Sequence, residues 1–191
     1  MKYSQAFEDA VNHVMRYEVG PFWKLTPEVE QGLINTPAQR RAVGYVNDPL
    51  DTGGETKYGI AANAHTDVDI KKLDWAQAKD IFYRKYWLSG SCDKLSPRVG
   101  VLHFDCCVNH GVHRANIFLQ RSVGVADDGQ IGPITLNAAA QINSVRLCEL
   151  ICGQRELFYH RIVKNNPSQK RFLNGWLSRC EEVKQYVMSL N

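Results

Sequence analysis

The chain has no apolar run long enough to cross a membrane. Its first twenty residues carry Glu8, Asp9, Arg16 and Glu18 where a cleavable leader would have an uninterrupted apolar segment. It is therefore expected to be made and folded in a cytoplasm. It also lacks a charge surplus: 23 Lys and Arg against 20 Asp and Glu give +3, too little to mark a nucleic-acid binder, and no nucleic-acid partner is expected. The small surplus is uneven, with eight basic and four acidic residues from Arg146 onward against fifteen and sixteen before it. Such a segment reads either as a contact for an anionic polymer or lipid headgroup, or as a solvated helix face.

Metal-ligand spacings are missing as well. Of the six cysteines (92, 106, 107, 148, 152 and 180), Cys148 and Cys152 share a helix face, but no second pair has similar spacing. His103, His110 and His113 lie near Cys106 and Cys107 without a His-Glu-x-x-His pattern. Free thiols are expected rather than a disulfide framework, with no metal and no cofactor.

The sequence is rich in helical signals. Phe7, Val11, Val14 and Met15 recur at helical spacing after Ser4, a candidate cap, and predict a helix over 5–17 that Gly20 and Pro21 end. Thr26-Pro27 and Thr36-Pro37 each pair a cap with proline at the first helical position. Residues 44–60 mix strand formers with turn formers and predict a small irregular hairpin. Beyond it, Asp74 with Gln77 opens a helix to about Trp87, and Ser96-Pro97 opens another to His110, with Gly111 as its stop. Further helices are predicted to Val123, from Gly132-Pro133, over 144–164 and over 169–190. The expected fold is mainly α: one unit over 1–191, a helical bundle with a single small β-hairpin. Trp75, Phe82, Trp87 and Phe104 are expected in its core.

Glu18 stands out within this pattern. At 100° per residue it falls within about 20° of Phe7 and Val11, on the stripe that should face the core. A carboxyl group desolvated there would favour its neutral form and suit a general acid for a poor leaving group. The alternative is a helix already frayed before Gly20, with Glu18 an exposed terminal charge. Asp48, Asp51, Glu55 and Thr56 crowd into the glycine-rich hairpin, where short polar groups can be aimed into a cleft. Glycoside hydrolysis needs such a pair, one acid and one group that activates water or stabilises an oxocarbenium ion.

Five ordered stretches carry a resemblance. They are Tyr17-Glu18-Val19-Gly20, the run from Gly44 to Ile60, Phe104 to Gly111, Asp128-Gly129-Gln130-Ile131-Gly132-Pro133-Ile134-Thr135, and Phe172-Leu173-Asn174-Gly175-Trp176-Leu177-Ser178-Arg179. Together they resemble glycoside hydrolase family 108, lysozyme-like N-acetylmuramidases that include many bacteriophage endolysins. The fourth also resembles small peptidoglycan-binding helical modules. Val19 stands where the family usually has glycine, about twenty residues (22–43) are inserted, and Glu55 stands where a small residue is common.

The resemblance implies a lysozyme-like α+β fold, with the hairpin beside an active-site cleft, a catalytic part over 1–100 and a helical part over 101–191 bearing the peptidoglycan-binding-like motif. It implies cleavage of the β-1,4 bond between N-acetylmuramic acid and N-acetylglucosamine in peptidoglycan, with Glu18 as the general acid. Asp48 or Asp51 would be the second catalytic group, and Thr56 would position water. Tyr45, Tyr58, Asn109 and His110 are the candidate sugar contacts, offering ring faces and fixed polar groups; the tyrosines packing the hairpin and His110 serving the helix dipole are the alternatives. The resemblance also implies that Trp176 anchors the C-terminal helices onto the catalytic body. A monomer accumulating in the host cytoplasm and reaching the periplasmic wall through a holin is expected. Two other readings stay open: a non-catalytic peptidoglycan-binding or scaffold protein, and a thiol- or zinc-dependent peptidase.

Overall fold

The computed structural model of the chain describes residues 3–48 and 54–190. Two compact units emerge: one holds residues 11–84, the other 3–10 and 85–190. No described helix is long and apolar enough to cross a membrane. The mainly helical, lysozyme-like class expected from the sequence is the fold observed.

Helix α1 (Gln5–Glu18) starts in the larger unit and ends in the smaller one. Ser4 accepts a hydrogen bond from the Phe7 amide at 3.3 Å, and Phe7, Val11, Val14 and Met15 are buried as their spacing predicts. In the smaller unit two short helices follow, α2 (Pro27–Glu30) and α3 (Pro37–Ala42). Thr26 and Thr36 cap them by accepting from the amides of Val29 and Gln39 at 3.3 and 3.2 Å, and proline opens each helix where its missing N–H is harmless.

The hairpin consists of β1 (Thr56–Lys57) and β2 (Ile60–Ala61), antiparallel, with Lys57 opposite Ile60 and Thr56 opposite Ala61. Val46 bridges Thr56 from the other side through two backbone bonds of 3.0 and 2.8 Å. Helix α4 (Trp75–Phe82) carries the capping box of Asp74 and Gln77. It does not continue to Trp87 as one α-helix; Tyr83–Leu88 is a wider π-helical stretch.

The larger unit is built around α5 (Pro97–His110), whose residues from Val99 to Cys107 are all buried. Around it lie α6 (Val112–Val123), α7 (Pro133–Ala140), α8 (Ser144–Asn165) and α9 (Lys170–Ser189). Phe7, Trp87 and Phe104 meet with ring centroids 5.5 to 5.8 Å apart. Trp176 stacks on Tyr159 at 5.3 Å, joining α9 to α8, so this contact links two C-terminal helices to each other.

Asp105 sits in this core, 1% exposed. Arg155, fully buried, approaches its Oδ2 at 2.9 Å, and Arg179 approaches its Oδ1 at 2.9 Å. Burial pushes the Asp105 carboxyl up, but the two guanidiniums outweigh burial and hold it below the usual carboxylate range. This arrangement revises the reading of the basic C-terminal segment. Two of its eight cations serve the core, and Arg146 and Lys184 pair on the surface with Glu149 and Glu181. The segment is less a cationic surface than its composition implies.

Both Asp105 and the half-buried His110 bind protons more readily in the unfolded chain. Burial, and after it the charge of Arg155, pushes His110 down to about 3. Stability should therefore decline as pH falls, first from about 6.5 through the His110 contribution and then below about 4 through Asp105. Asp105→Asn leaves two guanidiniums without their anion and should cost about 3–5 kcal/mol at neutral pH. It should also flatten the decline below about pH 4. Urea midpoints measured across pH for both proteins check this.

Candidate active site

The hairpin loop has two residues, Tyr58 and Gly59, with φ of 53° and 76°. Positive φ at both central positions is the type I′ geometry that matches strand twist, and glycine takes the second position without strain. Tyr58, a non-glycine residue in the left-handed region, is held by its side chain. It is fully buried, its hydroxyl donates to the Val29 carbonyl, and its ring lies 5.6 Å from Trp75 and 6.3 Å from Trp23. Its own amide donates to the Val43 carbonyl at 2.8 Å. The turn is thus rooted in the short-helix segment and cannot swing freely.

Gly59 faces Glu18. A Cβ on Gly59 would lie 2.8 Å from Glu18 Cβ and 3.1 Å from Glu18 Oε2. The glutamate side chain therefore occupies the space that any other residue at 59 would fill. One residue on, a Cβ at Gly44 would sit 3.3 Å from Val19 Cα. The end of α1 is clasped at two successive residues by backbone of the hairpin segment. Glu18 is the last residue of α1 and half-buried, so neither sequence alternative describes it fully. The helix does not fray before it, yet its carboxyl is not enclosed in the core.

The remaining candidates divide. Asp48 is exposed, two residues past the Val46 bridge. Asp51 lies outside the described residues. Thr56 is half-buried in β1, and its hydroxyl donates to the Gly54 carbonyl at 3.3 Å. Tyr45 is half-buried and donates its hydroxyl to Glu55 Oε1, a bond that raises the Tyr45 pKa, with burial adding to it. Glu55, a departure from the resembled pattern, is thus engaged by the hairpin's own tyrosine.

Tyr58 is corrected from sugar contact to turn anchor, because burial among Trp23 and Trp75 leaves no ring face for a ligand. Asn109 and His110 belong to the larger unit. Asn109 is exposed and accepts from the Tyr159 hydroxyl at 3.0 Å, while the His110 Nε2 lies 3.1 Å from the same hydroxyl. With its pKa lowered to about 3, His110 is uncharged at neutral pH, which removes the helix-dipole reading.

The sequence reading passed over Gly59 and Trp23. Gly59 is a local hint of a tight turn, but the partner that it clears space for, forty-one residues upstream, has no local signature.

All six thiols are free and buried. Burial pushes Cys106 and Cys107 up and Cys148 up to about 12, so they offer no accessible thiolate nucleophile. This argues against a thiol peptidase.

Residues 40–111 match the family Glycosyl hydrolase 108, and residues 114–181 match Predicted Peptidoglycan domain. A solved structure, Brucella abortus SagA, is similar at 27% identity with a TM-score of 0.71, covering 96% of this chain and 94% of that one. A search of curated proteins gave no match. Gly44, Thr56 and Gly59 lie within the first matched segment; Glu18 precedes it.

Gly59→Ala places a methyl group against Glu18 and forces a left-handed backbone on alanine. The expected loss is roughly 1–2 kcal/mol in urea denaturation, more than at an exposed glycine of ordinary φ.

Proposed function

From the premise that the chain is a glycoside hydrolase, with a glycosyl hydrolase 108 segment followed by a peptidoglycan domain, we propose that it is an N-acetylmuramidase with Glu18 as its general acid. The observation that carries this reading is the contact of Glu18 with the Gly59 turn. Catalysis by proton donation needs a carboxyl fixed within hydrogen-bond reach of the leaving oxygen. Clasping Glu18 and Val19 between Gly59 and Gly44 fixes the carboxyl without enclosing it.

Position supports protonation too. The end of α1 presents carbonyl oxygens, and the field at a helix C-terminus disfavours a carboxylate anion. The neutral acid is the form that protonates the bridging oxygen between N-acetylmuramic acid and N-acetylglucosamine. As the C–O bond breaks, positive charge grows on the sugar ring, and Asp48 or Asp51 supplies the compensating negative charge or orients water. Thr56, on the strand leading into the turn, takes the role of positioning that water. Tyr45 and Glu55, joined by their hydrogen bond, present one polar edge of the hairpin to the glycan. Peptidoglycan is the partner, and passage from the host cytoplasm to the wall by way of a holin belongs to the same reading.

Glu18→Gln keeps the side chain's shape and removes its transferable proton. Reducing ends released from purified peptidoglycan should fall by roughly 10²–10⁴-fold, with wall binding and the denaturation midpoint retained. Mass analysis of wild-type fragments should show N-acetylmuramic acid at the reducing end; 1,6-anhydro ends or free stem peptides would assign a different bond. Wall binding with no released sugar by the wild type would leave a binding protein instead.

A further inference from the structure

Three buried side chains outside the proposed catalytic site converge within the larger unit. The sulfurs of Cys92 and Cys107 and a ring nitrogen of His103 all lie within 4.8 Å of one another. His103 and Cys107 are one helical turn apart on α5, and Cys92 comes from the short 3₁₀ turn before it. All three are almost completely excluded from solvent. Along the sequence these three residues form no metal-ligand spacing, since Cys92 lies eleven residues before His103. The fold brings them together.

The hydrogen-bond network determines which imidazole nitrogen faces the thiols. Asn116 donates through Nδ2 to the Gly129 carbonyl at 2.9 Å, which leaves its Oδ1 as the atom facing His103 Nε2 at 3.0 Å. An amide oxygen only accepts, so Nε2 carries the hydrogen and neutral His103 keeps its lone pair on Nδ1. That Nδ1 is buried, and besides Asn116 the imidazole has the Cys107 thiol and the Gly90 backbone against it. An imidazole with one N–H tied to an oxygen and its other nitrogen turned toward thiols is the orientation of a metal-ligating histidine.

The two sulfurs also depend on a glycine beside them. A Cβ on Gly90 would stand 2.6 Å from Cys107 Sγ and 3.2 Å from Cys92 Sγ, so any larger residue there would press on both sulfurs.

We propose that Cys92, His103 Nδ1 and Cys107 form a three-ligand zinc site. Binding forms two Zn–S bonds and one Zn–N bond, and the two displaced thiol protons pass to solvent. Charge favours a divalent ion: two thiolates, a neutral imidazole and Zn²⁺ sum to zero, the least costly outcome where water is excluded. A monovalent soft cation would leave a buried net negative charge. Among the described residues no fourth His, Cys, Asp or Glu joins the cluster, so these side chains supply three ligands. The ion would tie the turn at Cys92 to α5 and, through Asn116, to α6 and the Asp128–Gly129 turn. Its role is independent of the proposed muramidase chemistry.

The test is metal content and spectroscopy of the full chain, purified with a thiol reductant and no chelator. Elemental analysis should find about one zinc per chain. Replacing zinc with Co²⁺ should produce a thiolate-to-cobalt charge-transfer band with the d–d intensity of a tetrahedral site. Cys92→Ser should lose the band and most of the zinc, Asn116→Ala should weaken zinc binding roughly 10–100-fold, and Cys106→Ser should keep both signals. If the serine variants fail to fold, the wild-type cobalt spectrum decides alone. A wild-type chain that takes up neither ion, keeps its zinc in Cys92→Ser, or yields a Cys92–Cys107 disulfide peptide under the same reductant would overturn the proposal.

Discussion

The arrangement depends on a turn of two residues that does two opposed things. Tyr58 must be large, because its ring and hydroxyl root the turn among Trp23, Trp75 and Val29, and Gly59 must be absent as a side chain, because Glu18 fills that volume. Both take positive φ, so the backbone conformation that closes the hairpin also brings a bare backbone surface to the end of α1.

The larger unit solves a different problem with a different tool. α5 is buried nearly all round yet carries Asp105 and His103 inside. Two guanidiniums neutralise the first, and one of them, Arg179, comes from the far end of the chain. Two stretches that looked like separate signatures, Phe104 to Gly111 and Phe172 to Arg179, are thus the two sides of one buried ion cluster. The stretch at Asp128 has a similar explanation. Gln120 donates to Asp128 and to the Gln130 carbonyl and accepts from the Gly129 amide, so that signature specifies a loop latched to α6. The match to a peptidoglycan domain over 114–181 therefore rests partly on residues that build the scaffold.

The insertion over 22–43 is a departure from the resembled pattern. In the structure it supplies Trp23 and the Val29 carbonyl, two of the contacts that anchor Tyr58. An added segment has become part of the support for the catalytic-type turn.

Helix positions, their proline starts and their caps were legible in the sequence because they depend on neighbours three or four residues away. The threonine caps at 26 and 36 and the Asp74–Gln77 box stand where local chemistry puts them. Burial of the aromatic core followed from periodicity for the same reason. What the sequence left open was everything set by contacts across long separations: whether Glu18 was enclosed or frayed, which tyrosine was free to meet a ligand, where Arg155 and Arg179 spend their charge, and which cysteines meet His103. Those outcomes rest on side chains brought within a few ångströms by the packing of separate elements. Spacing along a chain carries no record of that distance, and only the tertiary structure decided it.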